Sequence, residues 1–274
     1  MDLLPLLAPE VRGRVLVVAA HPDDETVGAG GLVCRAVDPW IVHLTDGAPR
    51  DPRLRSGPAA HDRDAYRAAR QRELDVALAH AGVGRARVWT LALPDQEAAH
   101  ALVEAAHRLE ERIGGLRPRW IVTHPYEGGH PDHDAAAFAT WAACARLARR
   151  GRPSGPRVEM TSYHLRGGEL RTGVFLPSDE PVPHVRCTHP PSLRERKRAM
   201  LDAFASQRAV LAPFGDEAEE LRVAPSYRFD RPPHDPPLLY EALGWTMTSA
   251  AFSTLAVRAA RRLGLPVTEV SAWG

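Results

Sequence analysis

The chain has 274 residues, 44% of them hydrophobic, enough to bury a substantial core as one large domain or two modest ones. Its 35 Lys and Arg against 34 Asp and Glu leave a formal net charge of +1, so no global basic field argues for a nucleic-acid or membrane-surface partner. No apolar run approaches the ~18 residues that span a bilayer, and Cys34, Cys144 and Cys187 form no CxxC pair, which argues against a disulfide framework or a structural zinc knuckle.

In chain order, the first apolar run is broken by Pro5 and Pro9, lacks a basic segment before it and shows no cleavage pattern, so a cytoplasmic location is expected. Short β-branched runs at residues 14–20, 40–45, 87–91, 120–123 and 158–165 read as strands. Ala-, Leu- and Arg-rich segments at 27–37, 61–81, 95–113 and 131–150 read as the helices between them. Continuously apolar strands alternating with helices predict an α/β fold, a Rossmann-like doubly wound and mainly parallel sheet with helices on both faces. A further helix is expected over 193–211. Residues 213–239, with six prolines, read as an irregular loop. The expectation is one domain over 1–274, with a core at about 12–211 and an irregular C-terminal extension at 212–274 that can serve as a lid. The basic runs at 146–152 and 194–198 read as solvated helix faces, and the cysteines as buried or half-buried thiols.

Two motifs carry chemistry. HPDDE at 21–25 follows the first strand, and HPDH at 130–133 follows the fourth, so both sit where ligands gather in such sheets. His21 and Asp24, three apart in a turn begun by Pro22, can meet at one ion, and His133 completes a His, Asp, His set that leaves a fourth position open for catalysis. Asp23 points elsewhere and can accept a proton from water activated at the metal. His130 is then free to protonate a leaving group or stabilise an oxyanion, and Asp132 can orient an imidazole from behind. Asp46, after the second strand, is a candidate to line the pocket or brace His21. His124 is expected at the pocket border and His43 in the core.

VVAAHPDDETVGAGG together with THPYEGGHPDHDAAA resembles the PIG-L/LmbE family of zinc-dependent N-deacetylases, with further similarity at TDG (45–47), RQRE (70–73) and KRAMLDAFASQ (197–207). The resemblance implies His21, Asp24 and His133 as zinc ligands, Asp23 as general base and His130 as the electrophilic or acid partner; Fe2+ is the alternative metal, because His and Asp donors suit both. It implies removal of an acetyl group from an N-acetylglucosamine-type sugar or glycoconjugate, with no nucleic-acid or membrane partner and with homo-oligomers left open. It also implies that Arg70 faces a polar part of the substrate, although an exposed helical arginine is the plainer reading. Mycothiol-pathway members carry a tyrosine where this chain has Gly128, so Tyr126 is a candidate to supply the hydroxyl from another position, with core packing as its other role. An amidase acting on a thiol conjugate is the alternative within the hydrolases, and a sugar-binding protein without turnover is the least economical reading. A Rossmann-like nucleotide-binding protein is the alternative from another class, but Gly28, Gly30 and Gly31 begin too late after the strand and do not spell GxGxxG. They are expected to let a helix pack closely on the sheet.

Overall fold

The computed structural model describes residues 1–178 and 180–266. The chain runs through β1 (Val11–Ala19), α1 (Asp24–Arg35), β2 (Ala36–Pro49), α2 (Arg63–His80), β3 (Val88–Asp95), α3 (Leu102–Leu116), β4 (Trp120–Thr123), α4 (Pro131–Arg149) and β5 (Arg157–Met160). These give five parallel strands in the spatial order β3-β2-β1-β4-β5. A short hairpin, β6 (Tyr163–Arg166) and β7 (Glu169–Thr172), forms a separate two-stranded sheet. Then follow β8 (His184–Thr188), α5 (Pro191–Asp202), α6 (Arg208–Leu211), β9 (Ala218–Val223), α7 (Leu239–Ala242) and α8 (Ser249–Arg262).

Alternate residues of β1 face opposite layers, as the period-two geometry of a strand requires. Val15, Val17 and Ala19 pack with the residues of α1, α2 and α5, whereas Leu16, Val18 and Ala20 pack with those of α3, α4 and α8. Both faces are thus covered, and the strands read as apolar throughout because neither face meets water. Chain order reverses between β1 and its neighbour β4: β2 and β3 lie on one side, β5 on the other. The loops after β1 and β4 therefore open into one crevice, and these are the loops that carry the two motifs.

The later part of the chain departs from expectation. Residues 158–165 form two strands, because the sheet strand stops at Met160 and the chain turns out into the hairpin at Tyr163. Asp95 ends β3 instead of starting a helix, and α3 begins at Leu102 after a short 3-10 turn. The helix expected over 193–211 breaks after Asp202. Within 213–239, Ala218–Val223 is β9, which inserts between β5 and β8 and runs antiparallel to both; the strand is short and charged, so its sequence carries no alternating apolar signature. The C-terminal portion extends the core: α8, absent from the sequence reading, packs on α3 and α4. Among the described residues no helix is long and apolar enough to cross a membrane. The three cysteines are free, Cys34 half-buried and the others buried.

The glycine-rich stretch lies inside α1, facing the sheet. A Cβ on Gly28 would come within 2.7 Å of Met160, and one on Gly31 within 2.4 Å of His189, so close packing excludes larger residues. The helix is interrupted at Ala29 (φ −144°, ψ 16°), and Glu219 of β9 covers the break by accepting the backbone N–H of Gly31 at 2.7 Å and of Leu32 at 3.1 Å. Lys197 of α5 bonds the Val27 carbonyl on the other side of the break and the Glu219 carboxylate at 2.6 Å. The chain's single lysine is therefore a buried cap on a broken helix rather than part of a solvated face.

Candidate metal centre and active-site cleft

Asp24 begins α1 and Pro131 begins α4, with His130 as the N-cap residue of α4. Negative side chains suit these positions because the first-turn N–H groups point outward there. Asp24 accepts the His21 backbone N–H at 2.7 Å and also lies 3.1 Å from His21 Nδ1 through the same oxygen. Its other oxygen lies 3.2 Å from His133 Nε2. The donor atoms of His21, Asp24 and His133 all fall within 4.8 Å of one another, and all three residues are buried.

The arrangement suits a small divalent cation. Ligands at ~2.0–2.1 Å around a tetrahedral ion are about 3.3 Å apart, close to the Asp24–His133 separation. His133 Nε2 is buried and has no hydrogen-bond partner, while its Nδ1 meets Ser162 Oγ at 3.3 Å. Burial, partly offset by Asp24, lowers the His133 imidazole to about 4, which leaves the ring an electron pair donor at neutral pH. Burial would raise the Asp24 carboxyl, but the neighbouring His133 and His124 rings hold it well below the usual carboxylate range. Burial would likewise lower His21, yet Asp95, Asp132 and Asp24 together raise it well above an ordinary imidazole. An anionic surround that favours a proton on His21 also favours a cation beside it. A second group of four donors, His21, Asp95, His130 and Asp132, is similarly compact. It is less suited to a cation, since both Asp132 oxygens already accept backbone N–H groups, from Gln96 at 2.6 Å and Ala98 at 2.9 Å.

Asp23 stands between the two candidate ligands of the first motif at φ 131°, outside the regions that L residues ordinarily adopt. Arg70, only 2% exposed, reaches across from α2 and donates from Nη2 to the Pro22 carbonyl and to Asp23 Oδ2, the latter at 2.9 Å. Of the two readings of Arg70, the exposed helical arginine is thus excluded: the helix buries that face, and the guanidinium bonds Asp23. Burial raises the Asp23 carboxyl to about 7 against the lowering influence of Arg70. His130 Nδ1 accepts the Asp132 N–H at 3.0 Å, so a neutral ring carries its proton on Nε2. Burial, reinforced by His21, lowers His130 to about 3, which keeps it neutral.

These groups share a cleft of about 430 Å³ that also reaches Asp95, Gln96, Ser162, Tyr163 and Trp245. Trp245 packs edge-on against His130, with centroids 4.8 Å apart. Asp132 lies 3.2 Å from His21 Nε2. His124 accepts the Ala20 N–H at 3.1 Å and stacks on His133, beneath the ligands. His43 pairs with Glu25 in the core at 2.8 Å. Two candidates fall elsewhere. Asp46 pairs with Arg63 at 2.6 Å and makes no contact with His21. The Tyr126 hydroxyl donates to the Arg231 carbonyl at 2.9 Å, and its ring packs on Phe229 and Phe252 in the core, outside the cleft.

Gly128 explains the departure at that loop position. Its φ is +70°, and a Cβ there would meet the Leu238 side chain at 2.9 Å, so a tyrosine at this position would be strained. The cleft instead receives Tyr163 from β6, whose ring lies 5.1 Å from that of His133. Asp95, Tyr163 and Trp245 were not identified from sequence. Asp95 had a weak signal, an acidic residue at the end of an apolar strand, but the other two arrive from segments with no motif.

Residues 16–144 match the family described as PIG-L, GlcNAc-PI de-N-acetylase. A Tsukamurella paurometabola protein named 1D-myo-inositol 2-acetamido-2-deoxy-alpha-D-glucopyranoside deacetylase is 30% identical over 255 residues, which cover 77% of this chain and 84% of that protein. The chain belongs to the PIG-L deacetylase family. A relative of the same activity name from Saccharopolyspora erythraea is 36% identical over 164 residues, 49% of this chain and 54% of that one. The chain spans about half the length of several curated relatives it matches. The N,N'-diacetylchitobiose deacetylase of Pyrococcus horikoshii shares the family fold at a TM-score of 0.52 and 19% identity, over 80% of this chain and 86% of that one.

Proposed function

We propose that this PIG-L family chain is a metal-dependent N-deacetylase that hydrolyses the acetamide of an N-acetylglucosamine-type sugar or glycoconjugate. The observation that carries the reading is the buried His21, Asp24 and His133 triad at the reversal point of the sheet, with His21, Asp24 and Asp23 lining one cleft. Relatives named as deacetylases of acetamido sugars support the substrate class.

His21, Asp24 and His133 hold a divalent ion, taken to be zinc, with iron suited to the same donors. Such an ion supplies Lewis acidity to the amide carbonyl and makes water more acidic. Asp23 accepts the proton of the attacking water at its carboxylate, and Arg70 fixes the orientation of that carboxylate. His130, neutral and protonated on Nε2, donates a hydrogen bond to the oxygen that gains charge as the carbonyl carbon becomes tetrahedral. It acts as an electrophile, since a ring this hard to protonate is a poor proton reservoir. The proton held by Asp23 then passes to the nitrogen as the carbon–nitrogen bond breaks, giving free amine and acetate.

The test is metal analysis of the purified full-length chain, followed by amine release from a panel of N-acetylated sugars, free and conjugated, with zinc or iron supplied. About one metal per chain and amine release that chelation abolishes are expected. A folded chain that binds neither ion, or a loaded chain that releases no amine from any member, overturns the reading.

A further inference from the structure

Asp23 sits on a backbone that an L residue does not adopt unaided. Its φ of 131° and ψ of −29° lie where a side chain crowds its own main chain, and such a conformation persists only when surrounding bonds over-determine it. The Asp23 carbonyl accepts the Thr26 and Val27 N–H groups, both at 2.9 Å, as α1 begins. Its own N–H donates to Glu25 Oε2 at 3.1 Å. The two torsions lie on either side of Cα, so bonds to the N–H and to the carbonyl together fix both, and with them the direction of the carboxylate. An acceptor that holds an N–H in this way must itself have no freedom to turn. Glu25 is fully buried; Thr26 Oγ1 donates to its Oε1 at 2.7 Å, and His43 Nε2 lies 2.8 Å from Oε2, the oxygen that holds Asp23. A carboxylate oxygen only accepts, so His43 carries a proton on Nε2. His43 is on β2 in register with Ala19 of β1, and strand pairing therefore sets its ring beside the first motif.

We propose that Glu25 and His43 are positioning residues for the reaction: His43 locks the Glu25 carboxylate, Glu25 holds the Asp23 N–H, and the base is thereby kept in its unusual conformation. This rests on the reading of Asp23 as the base of an N-deacetylase. Neither Glu25 nor His43 lines the cleft, so neither touches the substrate, and their influence reaches the reaction through the first motif. A buried polar pair adds little net stability over an apolar pair of the same volume, which leaves orientation as its contribution.

The test compares the full chain with His43→Leu, which keeps bulk and removes the donor, and with His43→Gln, whose side-chain amide can reach the place of Nε2. His43→Asn, polar but too short to reach Glu25, replaces His43→Leu if the latter does not fold. Metal content, kcat and KM for an N-acetylated sugar that the parent hydrolyses, and exchange of the Asp23 amide hydrogen are measured. His43→Leu should bind metal as the parent does and keep its KM, while kcat falls by about tenfold or more, as a slight misplacement of a reacting group produces. Its Asp23 amide should exchange about tenfold or more faster, because the acceptor is no longer held. His43→Gln should return both quantities to within about threefold of the parent. A His43→Leu variant that melts lower with kcat unchanged makes the pair mere packing and overturns the proposal. So does a loss of kcat with Asp23 exchange unaltered, a loss of metal, which would place the effect on the ligands, or a His43→Gln variant no better than His43→Leu. A parent that releases no amine removes the deacetylase reading and this proposal with it; an active parent matched by His43→Leu removes this proposal alone.

Discussion

Replacing Lys197 with Met removes the charge that bridges the two halves of α1. The ammonium donates to the Val27 carbonyl at 2.9 Å and to Glu219 at 2.6 Å, and both charged side chains are about 1% exposed. Burial would raise the Glu219 carboxyl, but Lys197, with His189, holds it at about 2. Methionine fills much of the same volume and leaves the buried Glu219 carboxylate without its ammonium partner, so that its remaining partners are the N–H groups of Gly31 and Leu32 and the His189 ring. Removal of one member of a buried pair costs about 3–5 kcal/mol. In a chain of this size the melting temperature should fall by roughly 10 °C. Urea unfolding and calorimetry measure it, with Glu219→Gln and the double variant completing a cycle. The double variant should recover to within about 1–2 kcal/mol of the parent, because an uncharged pair has little desolvation to offset. Glu219, low in the folded state, stabilises above its unfolded value near 4.5 and loses that contribution as pH falls toward 2, so Lys197→Met should also unfold at higher pH on acid titration. A cost under about 1 kcal/mol, or single effects that simply add, would refute the staple.

Three further outcomes test the remaining structure. Asp23→Asn should retain metal and lower amine release by about 10²-fold or more, as loss of a general base does; unchanged turnover would require another base. Gly129→Ala places a Cβ 1.9 Å from the Tyr163 carbonyl, which is backbone and cannot yield cheaply, so stability should drop by several kcal/mol. Gly115→Ala in α3 meets nothing within 4 Å and should be neutral or stabilising by about 0.5–1 kcal/mol, and equal melting temperatures for the two variants would contradict the packing. Burial lowers His189, but its partners Cys187 and Glu219 outweigh burial and raise it to about 9. Its stabilisation is therefore complete below about 6.5 and is lost as pH rises through 9. Melting temperatures of the parent should decline over that interval relative to His189→Gln, and parallel profiles would exclude the role.

The parallel half of the fold was legible because the central strands β1, β4 and β5 and the later part of β2 are buried on both faces and so spell apolar runs, while the edge strand β3 is only partly covered. The proposed ligand triad was legible for a related reason: His21, Asp24 and His133 lie at strand ends and helix starts, where local turn geometry alone aims side chains outward. What sequence by itself determined was thus the parallel part of the sheet, its helices and the two motifs whose side chains gather at its reversal point. Tertiary structure decided the company those groups keep. Arg70 is buried only because α2 lies over the first motif, and it holds Asp23 across 47 positions of chain. Glu219 and Lys197 meet because an antiparallel strand enters the sheet beside α1, a pairing that charged residues on a short strand do not announce. Tyr163 and Trp245 come from segments that carry no chemical motif. Their meeting depends on long-range packing, for which no local sequence pattern is required.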